Sequence, residues 1–171
     1  MAKPPAKQGT HTKARVFGLA RHEWMFFLKF AALFAIPYVF IHFVGLGPLT
    51  ASIAGAESVF LSAAGTPSSA IGLTVLAAGR EFEIVADCTG LVMIIMLAAL
   101  LWSTPVRRER RWLFLAAGAP FLFVFNLLRL FFTLWVGAAL GGLAGEAVHV
   151  ALWFVDAAVV IALWAKAAEV F

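Results

Sequence analysis

Four apolar runs, each close to the length of a bilayer crossing, leave this chain few ways to fold in water. They lie at about 23–47, 88–104, 112–136 and 146–170 of the 171 residues. A helix needs about 20 predominantly apolar residues to span the hydrocarbon core. Composition agrees: 63% of residues are hydrophobic and 13% charged, against about 25% charged in a soluble domain. Seventeen Phe and six Trp add apolar surface that a small soluble fold has no interior to hide. The reading is an all-α integral membrane protein with about four transmembrane helices, residues 23–171 forming one transmembrane domain.

The basic residues punctuate the runs. Lys3, Lys7, Lys13, Arg15 and Arg21 precede the first, and Arg107, Arg108, Arg110 and Arg111 fall between the second and third. Clusters this short, set against apolar segments, are flanks of membrane spans and not a nucleic-acid surface. Residues 1–22 are polar and read as a disordered basic tail. The run at 24–47 exceeds the apolar core of a signal peptide and has no small-residue cleavage pattern closing it, so it is read as a retained span. Pro37 lies inside it and predicts a kink.

The segment 48–86 is different in kind, rich in Gly, Ser, Ala and Pro. Its first part, about 50–64, suits a short interfacial helix. In its second part, 72–85, Phe82 and Ile84 alternate with Glu81 and Glu83, and Gly79 supplies a turn, which predicts a hairpin. Exposed strand edges cannot lie in hydrocarbon, so the hairpin belongs at one membrane face. The Gly-rich stretch 137–145 is read as a turn. The positive-inside rule puts the basic tail and the loop 106–111 in the cytoplasm. Both termini are then cytoplasmic, and 48–86 and 137–145 lie outside, at a cell membrane crossed several times.

Ionisable residues inside membrane spans are costly and mark function. Counted from the cytoplasmic anchors Arg107, Trp112 and Lys166, the residues Cys88, Arg129 and His149 are reached after 19, 17 and 17 positions. At 1.5 Å each, that is about 28, 25 and 25 Å. All three therefore arrive near the outer interface, on three separate helices. A cysteine thiolate is a nucleophile, a histidine moves protons near neutral pH, and an arginine holds an oxyanion or carboxylate. Together they suffice for acyl transfer through a thioester.

Each residue also has a plainer reading. Cys88 alone suits a small buried residue or a lipidation site, Arg129 a cation snorkelling to the interface, and His149 a helix-end residue. Asn126, one turn from Arg129, is positioned to orient it. Asp156, two turns from His149, is a candidate to orient the imidazole through water or to pair with Arg129. Asp87 and Glu146 flank the site and read as solvated. Cys88 is the sole cysteine, which excludes an intrachain disulfide. Cys88 and His149 give two ligands only, with His11, His22 and His42 on the wrong side or in another span, so no metal and no cofactor is expected.

The stretch Ala86, Asp87, Cys88, Thr89, Gly90, Leu91, followed by Asn126, Leu127, Leu128, Arg129 and then His149 before a last span, resembles the exosortase/archaeosortase family of multipass membrane cysteine proteases. In that family a Cys-[Ser/Thr]-Gly motif opens one span, Asn-x-x-Arg closes another, and a third residue opens a later one. The resemblance covers about 72–169 and extends to the hairpin. The chain departs from many members in lacking further N-terminal spans. The resemblance implies that Cys88 is the nucleophile, that Arg129 stabilises the oxyanion or activates the thiol, and that His149 is the general acid and base. It implies as substrates secreted proteins that end in a short motif, a transmembrane helix and a basic tail. Cleavage would occur at the outer membrane face, and an amine on a lipid or envelope component would accept the product. Two other readings predict that Cys88 is dispensable: a small transporter subunit with Arg129 and Asp156 as a buried pair, and a non-enzymatic envelope assembly factor.

Overall fold

The computed structural model describes residues 21–169. The basic tail therefore lies outside the described residues, apart from its last two positions. Helix α1 (Arg21–Val44) and helix α2 (Gly47–Ala63) are followed by strands β1 (Ser68–Ile71), β2 (Thr74–Ala77) and β3 (Arg80–Glu83). A 3-10 turn (Ala86–Thr89) then leads into α3 (Leu91–Ser103), α4 (Arg108–Leu140) and α5 (Gly142–Ala167). The protein is an all-α membrane protein carrying one short sheet. Three helices, α1, α4 and α5, are long and apolar enough to cross a membrane.

Residues 88–104 do not form one continuous span. Gly90 sits at φ +76°, a left-handed conformation that breaks the helix between Cys88 and Leu91. Thirteen residues remain in α3, about 20 Å of helix. The depth of Cys88 counted as unbroken helix is corrected accordingly: the cysteine sits in the turn above α3. The stretch 137–145 is corrected too. Only Gly141 interrupts the helices there, at φ +103°, so α4 and α5 continue almost to each other. Helix α1 runs through Pro37 as one element.

The sheet is antiparallel, in the order β1-β2-β3. Ala77 pairs with Arg80 across a two-residue turn, with Ala78 at φ +49° and Gly79 at φ +76°. Two successive positive φ values match the twist of a hairpin. The sequence reading anticipated this turn and missed β1. Four residues, Ser68, Ser69, Ala70 and Ile71, are too short and too polar to announce a strand. Tertiary hydrogen bonds hold it instead: Ser68 Oγ donates to the Ser58 carbonyl at 2.7 Å and lies 2.8 Å from Ser62 Oγ. The sheet is thereby fastened to α2.

Two apolar cores stack along the bundle. One, at the sheet end, gathers Ile53, Ala54, Leu61, Val75, Ile84, Cys88, Leu130 and Leu134. The other gathers Met93, Leu97, Leu101, Val106, Leu122 and Val160 towards the arginine-rich end. At that end Arg110 Nη1 lies 2.7 Å from Glu169 Oε1, Arg111 Nη2 donates to the Thr104 carbonyl, and Trp164 Nε1 donates to Thr104 Oγ1. Large apolar side chains such as Phe43, Leu143 and Phe154 cover the outer surface, as a hydrocarbon solvent permits.

Helices α4 and α5 approach each other tightly at two glycines. A Cβ built on Gly145 would stand 2.9 Å from the Gly137 Cα, and one on Gly137 would stand 2.9 Å from Phe82 Cε1. Small residues at such crossings let backbones approach. Gly145→Val should therefore force α4 and α5 apart, at about 1–3 kcal/mol for an overpacked contact. Thermal unfolding in detergent tests this; an unchanged midpoint would show that the crossing has slack.

Candidate functional site

The turn that holds Cys88 is built from short-range bonds. Cys88 N–H donates to the Val85 carbonyl at 2.9 Å, and Thr89 Oγ1 donates to the Ala86 carbonyl at 2.6 Å. Gly90 closes the turn, and a side chain there is barred twice. Its φ is left-handed, and a Cβ would stand 3.0 Å from the Asn126 Cβ. This close approach lets Asn126 Nδ2 donate to the Cys88 carbonyl at 2.6 Å. Asn126 is 1% exposed and Cys88 7%, so a bond made in low dielectric fixes the turn against α4.

One helical turn along α4 from Asn126 stands Arg129, also buried. Its Nη1 lies 2.6 Å from Asp156 Oδ2 on α5, a charge-assisted hydrogen bond. Of the two roles open to Asp156, pairing with Arg129 is the one seen. Arg129 Nε and Nη2 and Asp156 Oδ1 are buried and have no hydrogen-bond partner among the described residues. Arg129, Asp156, Asn126 and Asp87 line a cavity of about 320 Å³, whose other walls include Phe34 and Tyr38 of α1 and Trp153 of α5.

His149 is two turns from Asp156 on α5, its ring 5.6 Å from that of Trp153. It lines a neighbouring hollow with Glu81, Phe82, Thr133 and Glu146. Thr133 is one turn from Arg129 and donates to its carbonyl at 3.1 Å. The five candidate residues thus lie around one end of the bundle, close to the sheet, in two linked groups. Cys88 joins Asn126, Arg129 joins Asp156, and His149 stands beside them. No hydrogen bond joins the side chains of Cys88, Arg129 and His149 to one another among the described residues. Burial pushes the Cys88 thiol up, a backbone hydrogen bond with Val85 and the Arg129 charge pull it down, and Asp87 raises it again. The net direction is upward, so the resting residue is a thiol and not a thiolate. Among the described residues no three His, Cys, Asp or Glu side chains are grouped to hold a metal.

Two residues escaped the sequence reading. His42, assigned to another span, has Nε2 3.4 Å from Asp87 Oδ1, and its Nδ1 donates to the Tyr38 carbonyl. The contact ties α1 to the residue before the cysteine; nothing in the spacing of 42 and 87 hints at it. Glu57 on α2 is fully buried, and both its carboxylate oxygens lack a partner among the described residues. A lone acid between Ile53, Ala54 and Leu61 was the available signal.

Burial raises the Glu57 carboxyl from 4.5 to about 8, so it is neutral at pH 7. Helix α2 is not among the candidate spans. Below pH 4.5 both folded and unfolded chains hold the proton; above it, up to about 8, only the folded chain does. Stability therefore falls as pH rises through that window, by up to about 1.4 kcal/mol per unit. Glu57→Leu removes this loss. The variant should gain on the native chain by several kcal/mol between pH 5 and pH 8, read by unfolding in detergent. A difference independent of pH would contradict a buried neutral acid.

Comparison with known proteins supplies a family. Residues 14–165 match the family described as transmembrane exosortase, most of the chain, and the chain belongs to that family. No curated protein and no solved structure matches it.

Proposed function

We propose that this member of the transmembrane exosortase family is a cysteine peptidase and transpeptidase that cleaves C-terminal sorting signals of secreted proteins. The observation that carries this reading is the anchoring of the chain's sole cysteine by Asn126, one turn from the buried Arg129. Family membership supports sorting-signal processing in general; the roles of single residues are our assignment.

In the proposed reaction His149 takes the Cys88 proton and the thiolate attacks the scissile carbonyl. Arg129 stabilises the oxyanion. The carbon–nitrogen bond breaks, the departing amine takes the proton from His149, and a thioester remains on Cys88. An acceptor amine, on a lipid or an envelope component, then attacks the thioester and loses a proton to His149. The thiolate leaves and recovers a proton. Asn126 and Asp156 position the turn and the guanidinium.

Orientation follows from charge. The loop 106–111 belongs in the cytoplasm, and the sheet and Cys88 at the extracytoplasmic face. Helices α1 and α5 border the 320 Å³ cavity near Cys88. They border a second hollow towards the arginine end, lined by Glu23, Phe26, Phe27 and Trp164. The two hollows suit entry of a substrate's transmembrane helix from the side.

The thioester is testable. Membranes holding the full chain and a secreted protein that ends in a short motif, an apolar helix and basic residues are treated with hydroxylamine. The released product should carry a C-terminal hydroxamate, because hydroxylamine intercepts the acyl group. Cleavage that never yields hydroxamate would argue against an acyl-enzyme.

A further inference from the structure

The cavity below the Cys88 turn has a body and an end of different chemistry. Its body is apolar, walled by Phe34, Tyr38, Met93, Met96 and Trp153, in a volume of about 320 Å³. Its polar end is the Arg129–Asp156 pair, the two residues 5% and 6% exposed. Within the pair only Nη1 and Oδ2 satisfy each other. Two donors, Nε and Nη2, and one acceptor, Oδ1, have no partner among the described residues. Buried polar atoms left in that state cost free energy, and a ligand that pairs them recovers it.

The chemistry of the unpaired atoms selects the ligand. A free carboxylate would satisfy the guanidinium and meet repulsion from Asp156. An ammonium would satisfy Asp156 and meet repulsion from Arg129. The backbone of one extended residue offers both halves on the same side: its own carbonyl oxygen to accept from Arg129 and its own N–H to donate to Asp156 Oδ1. An apolar side chain on the same residue would then enter the body of the cavity.

We infer that this cavity is a specificity subsite. It takes a large apolar side chain on the substrate residue whose carbonyl Cys88 attacks, while Arg129 and Asp156 hold that residue's own C=O and N–H. The inference rests on the cysteine-peptidase reading and adds a substrate class to it. The pocket, not the charge pair, sets the preference, because a backbone C=O and N–H are common to the residues competing for the site. Flexible Met93 and Met96 in its wall adapt to side chains of differing shape.

The experiment uses the full chain in detergent with two probes, acetyl-Phe-chloromethyl ketone and acetyl-Gly-chloromethyl ketone. In each the Cys88 sulfur displaces chloride and forms a thioether, counted by mass spectrometry. The Phe probe should label Cys88 about tenfold faster or more, the scale of discrimination by an apolar pocket. Ala157→Trp and Met96→Trp each fill the cavity from a different wall. Either should bring the two rates together while labelling by small iodoacetamide stays at the native rate. Equal rates in the native chain would overturn the inference, as would a Phe preference that survives both filled variants. Should a filled variant fail to fold, the native comparison and the other variant still decide. Hydroxamate formation without a Phe preference would remove the subsite and leave the peptidase; a Phe preference without hydroxamate would leave an apolar pocket beside Cys88 and overturn both the peptidase reading and the subsite's catalytic role.

Discussion

Cys88→Ala should reduce processing of the sorting signal to background while the protein still folds. The expected loss is on the order of 10³-fold or more, because the sequence holds no second cysteine to form the thioester. The fold should survive because the side chain is small. The thiol packs in the sheet-end core with Ile53, Ile84 and Leu130, and trimming it to a methyl costs about 1 kcal/mol. The Asn126 bond goes to the Cys88 backbone carbonyl and not to the sulfur, so the turn keeps its anchor in the variant. Western detection of the uncleaved precursor, beside the elution profile of the variant, separates the two effects. Processing that persists in a folded Cys88→Ala protein would exclude the peptidase and favour a transport or assembly role.

Asp156→Leu should be the most destabilising single change at the site. It leaves the Arg129 guanidinium buried, with its side chain 4% exposed and no counter-charge. Breaking a buried pair by removing one partner costs about 3–5 kcal/mol, whereas replacing both partners by apolar groups is often neutral. The double variant Arg129→Leu/Asp156→Leu should therefore recover much of the stability lost by the single one. It should nonetheless fail to process substrate, because the oxyanion would lose its donor. Thermal unfolding in detergent and precursor processing, measured on the same three proteins, check both halves. Full processing by the double variant would reduce the pair to a structural tie.

How much of this was legible beforehand differs from element to element. The apolar runs that became α1, α4 and α5 were plain, because a bilayer demands length and hydrophobicity that composition displays directly. The β2–β3 turn was legible through Gly79. Strand β1 was not, since its anchors are the Ser58 carbonyl and the Ser62 hydroxyl of α2, whose proximity depends on how α2 folds back. The break at Gly90 was hidden by reading an apolar stretch as uninterrupted helix, although glycine in that place signals just such a conformation. At the site, residue types and spacing picked out Cys88, Asn126, Arg129, His149 and Asp156 as candidates. Spacing did not reveal that Asn126 grips the cysteine turn through a carbonyl, that Asp156 faces Arg129, or that His42 reaches Asp87.

By itself the amino-acid sequence determined the solvent and the three long apolar helices, and it offered a set of side chains as candidates for chemistry. Those properties are local: they depend on runs of residues and on what each side chain can ionise, donate or attack. Which of those side chains touch was decided only in the tertiary structure. The contacts between 88 and 126, 129 and 156, and 42 and 87 join helices far apart along the chain. Gly90 lets the first of these close, and Gly137 and Gly145 let α4 and α5 approach for the second. A close approach of that kind is a property of two surfaces together, and neither surface carries it alone.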